Sequence, residues 1–206
     1  MTVTQSLPPT RDRWIDLDLS PLADVSAEAF FDLCQANPTL RFERHATGAI
    51  IVIPPAGLVT SHRNSKLTAA IHAWAERDGT GIVADSSGGF VLPNGATRSP
   101  DVAWIRRDRL AGLTERETDR FVPLCPDFVV ELRSPSDRLA DLQAKMNEYV
   151  ANGSRLGWLV DPLERTVTVY RPDAAPESLA QPDQVNGAPE LPGLVVALGG
   201  VWDVGF

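Results

Sequence analysis

A glutamate in the middle of an apolar strand restricts what a chain can fold into, and this chain has one. Glu131 lies inside Phe128-Val129-Val130-Glu131-Leu132, a run with the β-branched and aromatic character of a buried strand. A carboxylate there is costly to bury unless it is paired or holds a cation. Strand alternation puts Asp127, Val129, Glu131 and Arg133 on one face and Phe128, Val130 and Leu132 on the other. Taken alone, Glu131 and Arg133 read equally well as a same-face ion pair. A second acid, Asp101, follows Pro100 and opens another strand-like run ending at Ile105, although Asp after Pro is also ordinary at turns. Lys145 stands fourteen residues beyond Glu131. Two carboxylates entering from strands, with a lysine on the following helix, point to a metal site for phosphodiester chemistry.

The helix expected over Arg138–Asn152 supports that reading. Leu139, Leu142, Met146 and Val150 recur at helical spacing as its buried stripe, with Tyr149 at the edge. Lys145 is four residues before Tyr149, so the two share a flank. A lone lysine is ordinarily a solvated surface cation. One that borders a buried stripe directly after the Glu131 strand can reach the carboxylates.

Elsewhere strands and helices alternate. A helix is expected from Ser26, as N-cap, to Asn37, ended by Pro38. Leu40–Glu43 and Ala49–Ile53 read as strands joined around Gly48, and Ser61 as the cap of a helix running to about Arg77, stopped by Gly79. Gly81–Asp85 and Phe90–Leu92 are strand candidates, followed by an Asn94-Gly95 turn. Leu156–Val160 and Thr166–Tyr170 form a hairpin at Asp161-Pro162, and Leu194–Leu198 adds a further strand. The class is α/β (α+β), a sandwich on a mixed sheet. Residues 1–25 read as an N-terminal extension, 26–206 as a single domain, and 171–192 as an irregular excursion.

At 206 residues the chain can bury a proper core. No apolar run reaches the roughly 18 residues that a membrane span needs, and the first twenty residues lack a secretory pattern. Cys34 and Cys125 have no metal-ligand spacing and read as free buried thiols in a reducing cytoplasm. The net charge of −8 argues against tight non-specific binding to a polyanion. Arg98, Arg106, Arg107 and Arg109 bracket the Asp101 strand as a local basic exception.

Pro100-Asp101-Val102-Ala103, then Pro126-Asp127 through Asp137, then Lys145-x-x-x-Tyr149, then Trp158-Leu159-Val160-Asp161-Pro162 resemble the putative restriction endonucleases of the PD-(D/E)XK nuclease superfamily. The resemblance covers roughly residues 40–172. It implies a restriction endonuclease-like mixed β-sheet flanked by helices, and a Mg²⁺-dependent endonuclease, with Mn²⁺ as a substitute, acting on nucleic acid and DNA in particular. It makes Asp101 and Glu131 the metal-binding acids, with the backbone carbonyl of Leu132 completing the coordination and Glu43 as an additional acid. His62 matches a position where the family tends to have histidine, though by itself it reads as a structural residue in the first turn of a helix, and Arg98 reads either as steering a phosphate towards Asp101 or as pairing with an acid.

The chain departs from the pattern in two places. The usual lysine two residues after the glutamate is replaced by Arg133, which stays protonated and can only grip a phosphate. Lys145 resembles its migrated replacement, since a lysine can shift its pKa and orient or activate a water. Ala49 stands where related sequences often carry another acid, and Asp127 is a decoy too far down the strand. A catalytically weak or inactive interaction module of the same fold is therefore the alternative.

A homodimer is also expected. One site cuts one strand, and the hairpin carrying Trp158, Leu159, Val160, Val167, Val169 and Tyr170 would be a hazardous open edge. The competing cover is Leu194–Leu198, or the tail with Trp202 and Phe206, folding back within one chain.

Overall fold

A computed structural model describes residues 15–17 and 25–205. The expected extension over residues 1–25 therefore lies largely outside the described residues, as does Phe206. In chain order the elements are β1 (Ile15–Leu17), α1 (Ala27–Ala36), β2 (Arg41–Arg44), β3 (Ile50–Ile53), α2 (Leu58–Asp78), β4 (Gly81–Asp85), β5 (Phe90–Val91), β6 (Thr97–Arg98) and β7 (Val102–Arg106). They continue as α3 (Arg107–Leu110), α4 (Glu115–Thr118), β8 (Phe128–Leu132), α5 (Leu139–Ala151), β9 (Leu156–Asp161), β10 (Thr166–Tyr170), β11 (Glu177–Ala180), β12 (Gln184–Asn186), β13 (Val195–Ala197) and α6 (Gly199–Trp202).

The central sheet has six strands in the order β11-β10-β9-β8-β7-β4. Only β8 and β9 run parallel, which is the pair that α5 connects. A second sheet, β1-β3-β2-β6-β5, flanks it, and β12 and β13 form a separate ribbon. The strong alternation of β8 explains how both faces of the central sheet are filled. Phe128, Val130 and Leu132 join Leu67, Ile71 and Trp74 of α2 and Leu194, Val196 and Trp202 of the C-terminal region in one core. Val129 faces the other way, into a second core with Leu142, Met146 and Tyr149 of α5. Each core contributes the area-proportional burial energy that holds the layers together.

Gly157 of β9 marks the closest approach of helix to sheet, because a Cβ there would stand 2.4 Å from the Met146 methyl. Gly48, at φ 92°, and Gly79, at φ 72°, take the left-handed conformations that close the β2–β3 turn and α2. Ser26 caps α1 as expected, accepting from the Ala29 N–H at 3.1 Å.

Two expectations are corrected. Helix α2 begins at Leu58, with Gly57 as a cap that makes no side-chain bond, so Ser61 lies inside the helix. The preceding Pro54-Pro55 pair blocks any earlier start, and the extended Gly57 lets the chain turn immediately. The stretch from Arg106 to Arg120 contains two one-turn helices, the second held by a Thr114–Glu117 capping box.

Residues 171–192 are not an irregular excursion. They supply β11, which pairs antiparallel along Thr166–Val169 of β10, and β12, which pairs with β13. The hairpin edge that motivated a homodimer is thus covered within one chain. Leu194, Leu198 and Trp202 pack on a face of the sheet rather than on that edge. Both cysteines are free, Cys125 buried and Cys34 half-buried, and among the described residues no helix is long and apolar enough to cross a membrane.

Candidate active site

Antiparallel register brings the two acids together. Val102 of β7 pairs with Val130 of β8, so one residue further Asp101 stands beside Glu131 at the end of both strands. The Leu132 N–H donates to Asp101 Oδ2 at 2.8 Å, tying the acid before β7 to the last residue of β8. Glu131 faces α5, where the Tyr149 hydroxyl donates to its Oε1 at 2.9 Å and Lys145 Nζ lies 2.9 Å from the same oxygen. Asp101, Glu131, Leu132 and Lys145 all line one open pocket of about 850 Å³. Its opposite wall is formed by Ile53 to Thr60, the end of β3 and the first turn of α2.

Lys145 bridges two buried carboxylates, because it also donates to Glu43 Oε1 at 2.8 Å. Both oxygens of Glu43 are engaged. Its Oε1 also accepts from the Ser99 N–H at 2.9 Å, and its Oε2 lies 3.2 Å from Arg98 Nη1. Arg98 in turn reaches Glu148 at 2.6 Å and His45 Nδ1 at 3.1 Å. Glu43 does not line the pocket.

Charge and burial set the protonation states. Burial pushes the Glu131 carboxyl up to about 7 despite the neighbouring ammonium. Burial also raises Asp101, against the Leu132 N–H that favours its charged form. For Glu43 burial acts upward too, but Lys145 and Arg98 outweigh it and hold the carboxyl below its usual range. Burial works against the Lys145 charge, yet Glu131 and Glu43 overcome it and raise its pKa. The two carboxylates thus favour the ammonium form of Lys145, the form that can orient a water and stabilise developing negative charge. The Tyr149 hydroxyl is raised well above its usual value, first by burial and then by Glu131, so it remains a donor.

Several sequence candidates lie elsewhere. Arg133 does not line the pocket; its Nη1 pairs with the buried Asp161 at 2.7 Å. His62 is in the second turn of α2 and is not among the pocket residues. Arg98 is only 4 % exposed and pairs with two acids, the second of the two roles its sequence position left open. The basic bracket around β7 is spent in the same way, with Arg106 paired to Asp108 and Arg109 to Asp127, while Arg107 donates to the Gly79 carbonyl. Asp127 is a structural acid as expected, also accepting from the Arg106 N–H at 3.0 Å.

Sequence reasoning missed Arg41, which lines the pocket and donates to the Ser86 carbonyl. Its signal was present, since Arg41 and Glu43 are two apart on β2 and so share a face. Glu148 was missed because its role depends on Arg98, a contact across 50 residues.

The two carboxylates are oxygen donors of the kind that a hard divalent cation takes. Both contacts of Glu131 fall on Oε1 and the contact of Asp101 on Oδ2. Glu131 Oε2 and Asp101 Oδ1 thus have no donor among the described residues, in a pocket with an acidic excess. No group of three or more His, Cys, Asp or Glu side chains is gathered for a metal among the described residues. The remaining ligands would be water, substrate oxygens or the Leu132 carbonyl.

Comparison with known proteins bears on the family and the fold. The model of the Uma2 family, described as "Putative restriction endonuclease", matches residues 27–199. Among solved structures, a putative nuclease belonging to DUF820 from Anabaena variabilis ATCC 29413 superposes with a TM-score of 0.72 at 21% identity, covering 86% of this chain and 97% of that one. That likeness establishes a shared fold. No curated protein matches the chain.

Proposed function

The chain belongs to the Uma2 family of putative restriction endonucleases, and from that premise we propose that it is a Mg²⁺-dependent endonuclease cutting the phosphodiester bonds of nucleic acid, DNA in particular. One observation carries the reading. Asp101 and Glu131 converge at the ends of β7 and β8 in one pocket, each offering an uncommitted oxygen. They would hold the cation, with Mn²⁺ as a substitute, and the Leu132 carbonyl adjoins them. When bound, such a cation polarises the scissile phosphate and acidifies the attacking water.

The other residues act as themselves. Lys145, as its ammonium, places positive charge where a phosphoryl oxygen gains negative charge. Tyr149 fixes Glu131 Oε1 and so aims Oε2 at the pocket. Arg41, an exposed residue of the pocket lining, contacts the phosphate backbone of the substrate. With a net charge of −8, the surface adds little general attraction, so the contact is local and metal-dependent. The free thiols are compatible with a reducing cytoplasm.

The test is incubation of supercoiled plasmid, single-stranded DNA and RNA with Mg²⁺, Mn²⁺ or EDTA. Metal-dependent nicking supports the reading. Failure to cut any of them, with no Mn²⁺ bound at Asp101 and Glu131, would leave the inactive interaction module as the better account.

A further inference from the structure

We infer that Glu43 is a positioning residue, which anchors the Lys145 ammonium over Glu131 and holds no cation itself; this rests on the nuclease reading. The first ground is acceptor accounting. Lys145 Nζ and the Ser99 N–H take Oε1, and Arg98 takes Oε2. A cation at Glu43 would compete with the Lys145 ammonium and the Arg98 guanidinium, one on each oxygen, whereas Asp101 and Glu131 each have an oxygen with no donor. The second ground is placement. Glu43 is completely buried and absent from the pocket lining, while Lys145 lies between it and Glu131.

Arg98 completes the anchor. It is sandwiched between Glu43 and Glu148, and Glu148 is held by the Asn94 amide at 2.9 Å. These contacts come from β2, β6, the turn before β6, and α5. A long, flexible lysine side chain is thereby fixed from behind, which leaves it one position over Glu131.

The chain has only two lysines, Lys66 and Lys145, and Lys66 is exposed, so amine labelling read by mass spectrometry gives an internal reference. Lys145 in the native protein should label slowly. In Glu43→Gln, with the fold checked by circular dichroism, its labelling relative to Lys66 should rise about tenfold or more, as expected for a locally released group. Unchanged labelling would overturn the proposal. Mn²⁺ titration by calorimetry is the second arm. Glu43→Gln should bind within about threefold of wild type, while Asp101→Asn loses at least tenfold; equal losses would make Glu43 a ligand after all.

The third arm is a kinetic cycle. Glu43→Gln should lower kcat in the wild-type background and cost nothing further in Lys145→Met, because residues acting as a unit are non-additive. Fully additive losses would also reject the proposal. If the wild type neither binds Mn²⁺ nor cuts, the nuclease reading fails, and the labelling arm still decides whether Glu43 anchors Lys145.

Discussion

The backbone N–H of Leu132 donates to the Asp101 carboxylate at 2.8 Å. This bond locks two acids that are thirty residues apart in sequence into one pocket. Asp101→Asn keeps an oxygen that can accept it, and Glu131→Gln keeps the shape of its side chain. Both variants should therefore fold normally while losing metal-dependent cleavage. Asp101→Leu should also lose about 1–3 kcal/mol of stability, because it strands the Leu132 N–H. Plasmid nicking and urea melts measure the two effects separately, and a wild-type rate in either isosteric variant would remove that residue from the site.

Lys145→Ala should lose about 10²-fold or more in rate, the scale of one electrostatic catalytic group. Arg133→Ala should behave differently from a substrate-binding variant. It leaves Asp161, which is 2% exposed, without its cation, and breaking a buried pair costs about 3 kcal/mol. Its signature is a lower melting temperature with KM nearly unchanged. A raised KM at unchanged stability would return Arg133 to the substrate.

The metal-free protein should become less stable as pH rises between about 4.5 and about 7. Glu131 in the folded chain keeps its proton to about 7, while the ordinary value is 4.5. The folded state thus binds more protons across that window, and stability falls with pH there by up to about 3 kcal/mol. Glu43 acts in the opposite sense and lower down. Its depressed pKa contributes stability that is lost as pH falls below the ordinary carboxylate range. Urea unfolding in EDTA from pH 4.5 to 8 measures the first effect, and Glu131→Gln should reduce its slope. Mn²⁺ affinity should rise with pH up to about 7, since the ion competes with that proton.

With β11 paired along β10, the protein should run at its chain mass of 22.3 kDa in light scattering after size exclusion. Twice that mass would show that a different face pairs two copies. Double-strand cleavage by a monomer would then proceed as two nicking events.

The local chemistry of the site was written in the sequence. Period-two alternation put Glu131 opposite Phe128, Val130 and Leu132, and helical spacing put Lys145 and Tyr149 on one flank of α5. Both patterns depend only on backbone geometry that neighbouring residues share. Tertiary structure alone decided which charges meet. Arg98, Arg106 and Arg109 look alike along the chain, yet each is spent on an acid that folding places beside it. Glu43 was legible as an acid near the site, but its saturation by Lys145, Ser99 and Arg98 needs three other segments in place.

The strand β11 was equally hidden. Glu177-Ser-Leu-Ala carries almost no strand signal of its own, and it becomes a strand because β10 offers it an unpaired edge. Periodicity along the chain is a local property and can be read from order alone, whereas the partner of a buried charge or of a strand edge is fixed only when distant segments pack.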